Sequence, residues 1–154
     1  MYCRILPYIA AVLLLIACAE ETTFTRSRLK NSSGKQVTID FFQADAITMH
    51  HEIANNSIIT VSENNNRGKG SGLSFPNIDI SFMDSAIVTF DGLRRSVHFS
   101  GLHRFDSSRV IFFGHSSSLF TERNYTRNII SESKRSIENE YLYEFTQQDY
   151  LDAK

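Results

Sequence analysis

Alternation of side chains with a period of two, broken about every ten residues by turn chemistry, most limits what this chain can fold into. Successive side chains of a strand point to opposite faces, so a run that is apolar at every second position is a strand with one face buried. Over 36–42, Val37, Ile39 and Phe41 share one face and Thr38 and Asp40 the other. Ser57 to Glu63 is rich in β-branched residues, and Ala86, Val88 and Phe90 fall in phase over 85–90. Asp91-Gly92 then gives the strongest short hairpin signal, because both positions of such a turn take positive φ. Its return strand is expected at 93–99. Val110 to Phe113 is continuously apolar, as a strand covered on both faces would be. The runs 125–130 and 140–146 form the last expected pair. In the second of them Tyr141, Tyr143 and Phe145 face away from Leu142, Glu144 and Thr146.

Weaker signals complete the pattern. Phe24 to Lys30 alternates, and Asn31-Ser32-Ser33-Gly34 separates it from 36–42, which reads as a hairpin. Residues 64–72, Asn-rich and then Gly-rich, read as a loop, and 78–83 as a short strand. Ile130, Ile137 and Tyr141 would also suit a helical face, but a turn near Ser133–Ser136 accounts better for the flanking alternation. Thr146-Gln147-Gln148-Asp149 has the form of a helix N-terminus and predicts one short helical turn. The strand 141–146 is expected to be integral to the fold, so that loss of 139–154 abolishes cooperative unfolding, and 151–154 to be dispensable. Seven to nine short strands so spaced predict an all-β fold. The architecture expected is a small β-sandwich of immunoglobulin-like or transthyretin-like kind, or failing that a small barrel.

Before the alternation begins, the chain has the form of a secretory leader. One Arg, Arg4, precedes the apolar run Ile5 to Ala17. Thirteen helical residues reach roughly 20 Å, short of a ~30 Å hydrocarbon core, so a retained span is not expected. Leu15-Ile16-Ala17-Cys18 resembles the lipobox of bacterial lipoproteins: a branched apolar residue, a tolerant position, a small residue, then Cys. That resemblance implies a signal peptide over 1–17, lipidation of Cys18 and cleavage before it. A lipidated tether over 18–23 and a single β-rich domain over 24–154 would follow. Ala19 is not the Asp that often retains lipoproteins at the inner membrane, so an outer-membrane location is expected. Glu20 and Glu21 resemble the surface-export signal of Bacteroidetes-type lipoproteins and equally suit a solvated acidic linker.

Composition then removes several function classes. With Arg4 gone with the leader, 15 of 16 basic residues remain against 17 acidic ones, a net charge of −2. No basic stripe is present, which argues against nucleic acid as a partner. The two cysteines are Cys3, in the leader, and Cys18, so the folded part has no thiol for disulfides, zinc ligation or nucleophilic catalysis. Twelve Phe and six Tyr without Trp predict a core dominated by Phe.

Candidate chemistry is sparse. His50 and His51 are adjacent, so their rings diverge on a strand or a helix, and Asn55 stands where a helical His-Glu-x-x-His motif needs its second His. His98, His103 and His115 would meet only through the fold. Gly68-Lys69-Gly70-Ser71-Gly72 lacks the following helix of a phosphate loop, since Leu73-Ser74-Phe75-Pro76 does not start one. No metal, cofactor or catalytic residue is therefore expected. Asn31-Ser32-Ser33, Asn55-Asn56-Ser57 and Asn124-Tyr125-Thr126 match the N-glycosylation pattern, which a bacterial lipoprotein has little reason to use. Asp84-Ser85-Ala86 resembles the short O-glycosylation motif of Bacteroidetes-type envelope proteins, with Ser85 as acceptor, although Ser85 also opens an expected strand.

The turn at 31–35, the block 84–92 and the ending Tyr141-Leu142-Tyr143-Glu144-Phe145-Thr146-Gln147-Gln148-Asp149-Tyr150 resemble small uncharacterised Bacteroidetes-type lipoproteins. The resemblance implies a β-rich envelope protein and carries over no catalytic residue. The expected function is that of a lipid-anchored, non-enzymatic binding or accessory module. Its partners would be the membrane and an envelope protein or glycan. The alternative is an envelope hydrolase or glycan-processing enzyme with a site assembled from distant loops.

Overall fold

The computed structural model describes residues 21–67, 82–101, 110–111 and 114–154. In chain order the strands are β1 (Thr22–Asn31), β2 (Val37–Gln43), β3 (Ala46–Ile53), β4 (Ile58–Arg67), β5 (Ser85–Phe90), β6 (Arg94–Phe99), β7 (Val110–Ile111), β8 (Thr126–Ser133) and β9 (Ser136–Phe145). A short helix, α1 (Gln147–Asp152), follows. They form two separate sheets, a four-stranded one in the order β4-β1-β9-β8 and a five-stranded one in the order β3-β2-β5-β6-β7. The fold is thus all-β and sandwich-like. β1 begins at Thr22, inside the stretch expected to be tether, and Thr23 is already buried.

Between the sheets lies one apolar core. Leu29, Tyr141, Tyr143 and Phe145 face it from the four-stranded sheet, and Val37, Ile39, Phe41, Ile53, Ala86, Val88 and Phe90 from the other. Phe90 meets Phe145 edge to face, with ring centroids 6.2 Å apart. The alternation over 141–145 was read correctly, and so was the turn at 133–136, which joins β8 to β9 as a hairpin and rules out the helical alternative.

The expected hairpin of 24–30 with 36–42 does not form. β1 pairs with β4 and β9, whereas β2 pairs with β3 and β5, so the 31–36 turn carries the chain from one sheet to the other. Asn31 is the cause. Its side chain is fully buried, and its Nδ2 donates to the carbonyls of Lys35 (2.7 Å) and Ile53 (2.9 Å). Its Oδ1 accepts from Ser33 N–H (3.1 Å) and Ser33 Oγ (2.7 Å). The main chain is used as well: Asn31 N–H donates to Ser57 C=O (2.9 Å), and Asn31 C=O accepts from Asn56 N–H (2.7 Å). A hairpin would leave these groups in water. The crossing fixes them in the interior.

β2 turns into β3 instead, through Ala44 (φ 48°) and Asp45 (φ 65°). Both residues take the left-handed conformation that usually calls for Asn-Gly, which is why sequence gave no sign of β3. Asp84 compensates, its carboxylate accepting from Ala44 N–H at 2.7 Å. The Asp91-Gly92 turn has the expected positive φ at both positions, 50° and 69°. The expected strand at 78–83 lies largely outside the described residues, and its last two, Phe82 and Met83, are not in a strand.

On the outer face of the four-stranded sheet, cations of β1 meet anions of its neighbours. Arg26 pairs with Glu138 (2.7 Å) and Glu63 (3.1 Å), Arg28 with Glu140 (2.7 Å), and Lys30 with Glu144 (2.8 Å). Exposed pairs are individually weak, but opposite charges across a ladder favour one register over its slipped alternatives. Here they accompany the parallel pairing of β1 with β9, between the first and last strands of the domain.

The C-terminus is tied down more firmly than expected. Thr146 and Asp149 form a reciprocal capping box, with Asp149 doing the work more often given to Glu. Tyr150 packs on Phe90, and Ala153 is buried. Arg95 N–H donates to Lys154 C=O (2.7 Å) and Lys154 N–H to Arg95 C=O (3.3 Å), a pairing that makes 151–154 part of the structure and corrects the expectation that they are dispensable.

Removing these contacts has measurable costs. Asn31→Ala should cost about 3 kcal/mol or more in urea unfolding, because it strands several buried carbonyls and amides at about 1–3 kcal/mol each. Asn31→Asp should be comparably harmful, since a carboxylate cannot donate to Lys35 and Ile53. Deleting 153–154 should lower the thermal midpoint by several degrees through loss of two hydrogen bonds worth about 1 kcal/mol each. Deleting 139–154 should abolish the cooperative transition, because it removes β9 from the middle of its sheet.

Candidate functional site

The chain passes from the five-stranded sheet at β7 to the four-stranded sheet at β8 through residues 114–125, and this segment shapes the site. Ser118, Leu119, Phe120 and Thr121 are buried within it. Three hydroxyl or imidazole contacts pin it: Tyr143 Oη donates to Ser117 C=O (2.8 Å), Tyr125 Oη donates to Leu119 C=O (2.8 Å), and Leu119 N–H donates to His98 Nδ1 (3.3 Å). Internal bonds stiffen it further. Gly114 N–H donates to Thr121 Oγ1 (2.7 Å), the Asn124 amide donates to the carbonyls of His115 (2.7 Å) and Ser118 (2.9 Å), and Arg123 donates to Gly114 C=O.

Where this segment meets the four-stranded sheet it leaves an open cleft of about 550 Å³, lined by Gly114, Thr121, Glu122, Arg123, Tyr125, Arg127 and Tyr141. Arg127 stands opposite Tyr141 in the β8–β9 ladder and reaches Asn139 Oδ1 with Nη2 (3.1 Å) and Nε (3.3 Å). Burial pushes the phenols of Tyr125 and Tyr141 up, and the Glu122 carboxylate adds to the rise at Tyr141. Both phenols therefore stay protonated at neutral pH. The cleft offers hydrogen-bond donors, aromatic edges and charge of both signs.

Behind the cleft, the inner face of the same sheet is unusually polar. The ladder aligns Ser62, Ser27, Tyr141 and Arg127 across all four strands, with Thr25 opposite Asn139 in the next row. Ser27, Thr25, Ser62 and Asn139 are all buried. Ser27 Oγ, Ser62 Oγ and Asn139 Nδ2 have no hydrogen-bond partner. Buried polar atoms left so cost about 1–3 kcal/mol each, which an apolar residue in the same place would avoid.

Fold and sequence meet differently at the other candidates. Cys18 and the lipobox residues Leu15, Ile16 and Ala17, the glycine-rich run 68–72, and His103 lie outside the described residues. His50 and His51 point to opposite faces of β3. His50 Nδ1 lies 2.6 Å from Asp40 on the outer face, and that contact raises its pKa. His51 packs edge-on to Phe41, with ring centroids 6.2 Å apart, and burial lowers its pKa, as does His50. Among the described residues no three His, Asp or Glu side chains converge as a metal would require. Ser85 begins β5, half-buried and on the face opposite the inward Ala86. The adjacent Asp84 is structural, holding the β2–β3 turn and accepting Ser100 N–H on its carbonyl (3.0 Å). Asn31 and Asn124 each donate their amide hydrogens to two carbonyls, so neither offers a free amide nitrogen for glycosylation in the folded state.

Sequence reasoning missed the cleft. Its residues come from three places, and only the alternation that turns Tyr141 inward was legible. His98 was noticed but not its role. Because Leu119 N–H occupies Nδ1, the ring hydrogen sits on Nε2 and is donated to Ser96 Oγ (3.1 Å). Burial, with a smaller contribution from His115, lowers the His98 pKa to about 3.

The sign of the consequence is fixed. The folded protein keeps His98 neutral while the unfolded chain takes up a proton below the ordinary value near 6.5, so stability is lost as pH falls from 6.5 towards 3. At about 1.4 kcal/mol per pH unit, roughly 3 kcal/mol should disappear between pH 7 and pH 4. Urea unfolding across that range checks it. His98→Asn should be less stable at pH 7 and should lose less on acidification.

Compared with known proteins, the chain matches no family model, no curated protein and no solved structure.

Proposed function

We propose that this chain is a lipid-anchored envelope protein that binds a polar partner, a glycan or an envelope protein, through the cleft beside β8, and does so without catalysis. The observation that carries this reading is the cleft's side-chain set. Arg123, Arg127 and Glu122 supply charge, Thr121 a hydroxyl, and Tyr125 and Tyr141 ring edges, the Tyr125 hydroxyl being held by Leu119 C=O. The two phenols held protonated suit recognition better than proton transfer at neutral pH, where a catalytic group needs a pKa near the working pH. Sugars, with many hydroxyls and apolar ring faces, are complementary to such a surface, as are polar peptide segments.

Anchoring rests on the lipobox Leu15-Ile16-Ala17-Cys18 alone. With β1 starting at Thr22, four steps after Cys18, the domain would sit within roughly 14 Å of the lipidated residue. Among the described residues no helix is long and apolar enough to cross a membrane. Thioether and amide-linked acyl chains at Cys18 would then hold the domain at the outer membrane, each buried methylene contributing about 0.8 kcal/mol.

Two measurements test the two parts. A metabolic fatty-acid probe should label the wild type and not Cys18→Ala, and equal labelling would remove the anchor. Titration calorimetry with soluble peptidoglycan fragments should give saturable heat that Arg127→Ala weakens about tenfold, the loss expected for one charged hydrogen bond. Heat unchanged by the substitution would move binding away from the cleft.

A further inference from the structure

β8 is an edge of the four-stranded sheet, and unlike the long edge strands β3 and β4 it has every residue exposed. Edge strands of this length are normally blunted by charged side chains, Pro, a bulge or cover from another element, and β8 has two charges and a bulge, so a strand that pairs with it must match both. β8 contains neither Lys nor Pro, and it displays Ile129 and Ile130, each 53 % exposed. A bulge between Ile129 and Ser131 leaves Ile130 without a partner in β9. That extra residue changes which side chains share a face. Arg127 and Glu132 are five positions apart and would face opposite ways on a regular strand. With the bulge, Arg127 stands opposite Tyr141 and Glu132 opposite Ile137, both on the inner face.

We infer that β8 is a self-pairing seam, joining two copies of this chain antiparallel about a two-fold axis at Ile129. With the extra residue Ile130 outside the pairing, as it is against β9, an axis that sets Arg127 against Glu132 passes between the two copies of Ile129. The alignment then puts Arg127 opposite Glu132 of the second copy, twice per seam. Asn128 falls opposite Ser131 and Thr126 opposite Ser133. Polar groups meet polar groups, the exposed Ile129 is covered by its equivalent, and opposite charges meet on the same face. No slip of the register keeps all three matches. The two sheets become one of eight strands. Since Arg127 also lines the cleft, Glu132 of the second copy borders it, and each site includes a group from its neighbour. The axis is normal to the sheet, so both chains reach one membrane when the sheet lies parallel to it. The pairing itself does not depend on what the cleft binds.

The seam is short, so association should be in the micromolar range. The test uses the full chain in detergent with Cys3→Ser and Cys18→Ser, which leaves no other thiol. Sedimentation should show a reversible dimer. Mild oxidation of Ile129→Cys should give a covalent dimer, because directly opposed Cβ atoms lie about 4.5–5.5 Å apart. Asn128→Cys, which faces Ser131, should crosslink far less. Arg127→Glu and Glu132→Arg should each weaken association about tenfold by turning two attractions into repulsions, and the double swap should restore it. Circular dichroism confirms that each variant is folded, and the cysteine variants leave the charges untouched. A monomer at about 200 µM, a dimer that does not crosslink through residue 129, or a double swap as weak as the single ones would overturn the seam.

Discussion

A single fully buried amide, that of Asn31, decides how the two sheets are joined. Its side chain uses both donor hydrogens and both acceptor lone pairs, while its own N–H and C=O are bonded to the turn before β4. Every polar capacity of the residue is met inside the protein, and the partners lie in the turn between β1 and β2, at the end of β3 and in the turn beyond it. Because hydrogen bonds to a buried amide are directional, they fix where the chain leaves the four-stranded sheet and where it enters the other. Once that crossing is set, β2 must find partners in the second sheet, and β1 is left with free edges on both sides. β4 takes one and β9 the other.

The placement of β9 beside β1 closes the domain, since it joins the first and last described strands in one parallel pair. Burial of Tyr141, Tyr143 and Phe145 contributes roughly 1.5–3 kcal/mol per side chain, comparable in total with the stability of a whole domain. The outward charges of β1 and β9 add selectivity more than strength. Slipping the ladder by two residues would keep the aromatic face inward but would set Arg26, Arg28 and Lys30 against different neighbours. Both kinds of information agree on one register, which is what a well-specified sheet requires.

The cleft grows out of the same economy. Residues 114–125 must span from one sheet to the other, and their backbone is satisfied by Tyr125, Tyr143, Asn124 and a neutral His98. A connection so held cannot collapse onto the ladder beneath it, and the gap between them is the cleft. The unpaired hydroxyls of Ser27 and Ser62 and the amide of Asn139 lie along the sheet behind it, where an apolar side chain would have been more stable. Arg127, tied to Asn139 on one side and facing the open edge of β8 on the other, connects the cleft to the seam.

By itself the sequence determined the fold class, most of the strands, the Asp91-Gly92 hairpin, the capped C-terminal turn and the inward aromatic face of β9. All of these are local: a period of two, a turn residue or a cap acts on neighbours a few positions away. The motif at Cys18 is likewise local, and it remains the sole ground for anchoring. Only the tertiary structure decided that Asn31 would be a buried crossing point and not the tip of a hairpin, because a turn signal reports that the chain bends and not which sheet it enters. It also decided that Ala44 and Asp45 would turn with positive φ, since the compensating carboxylate comes from Asp84, forty residues away. The parallel union of β1 with β9 and the meeting of Gly114, Thr121, Arg127 and Tyr141 around one cleft belong to the same kind. Each depends on groups distant in sequence whose proximity is itself a product of the fold, so no window of the chain contains the information.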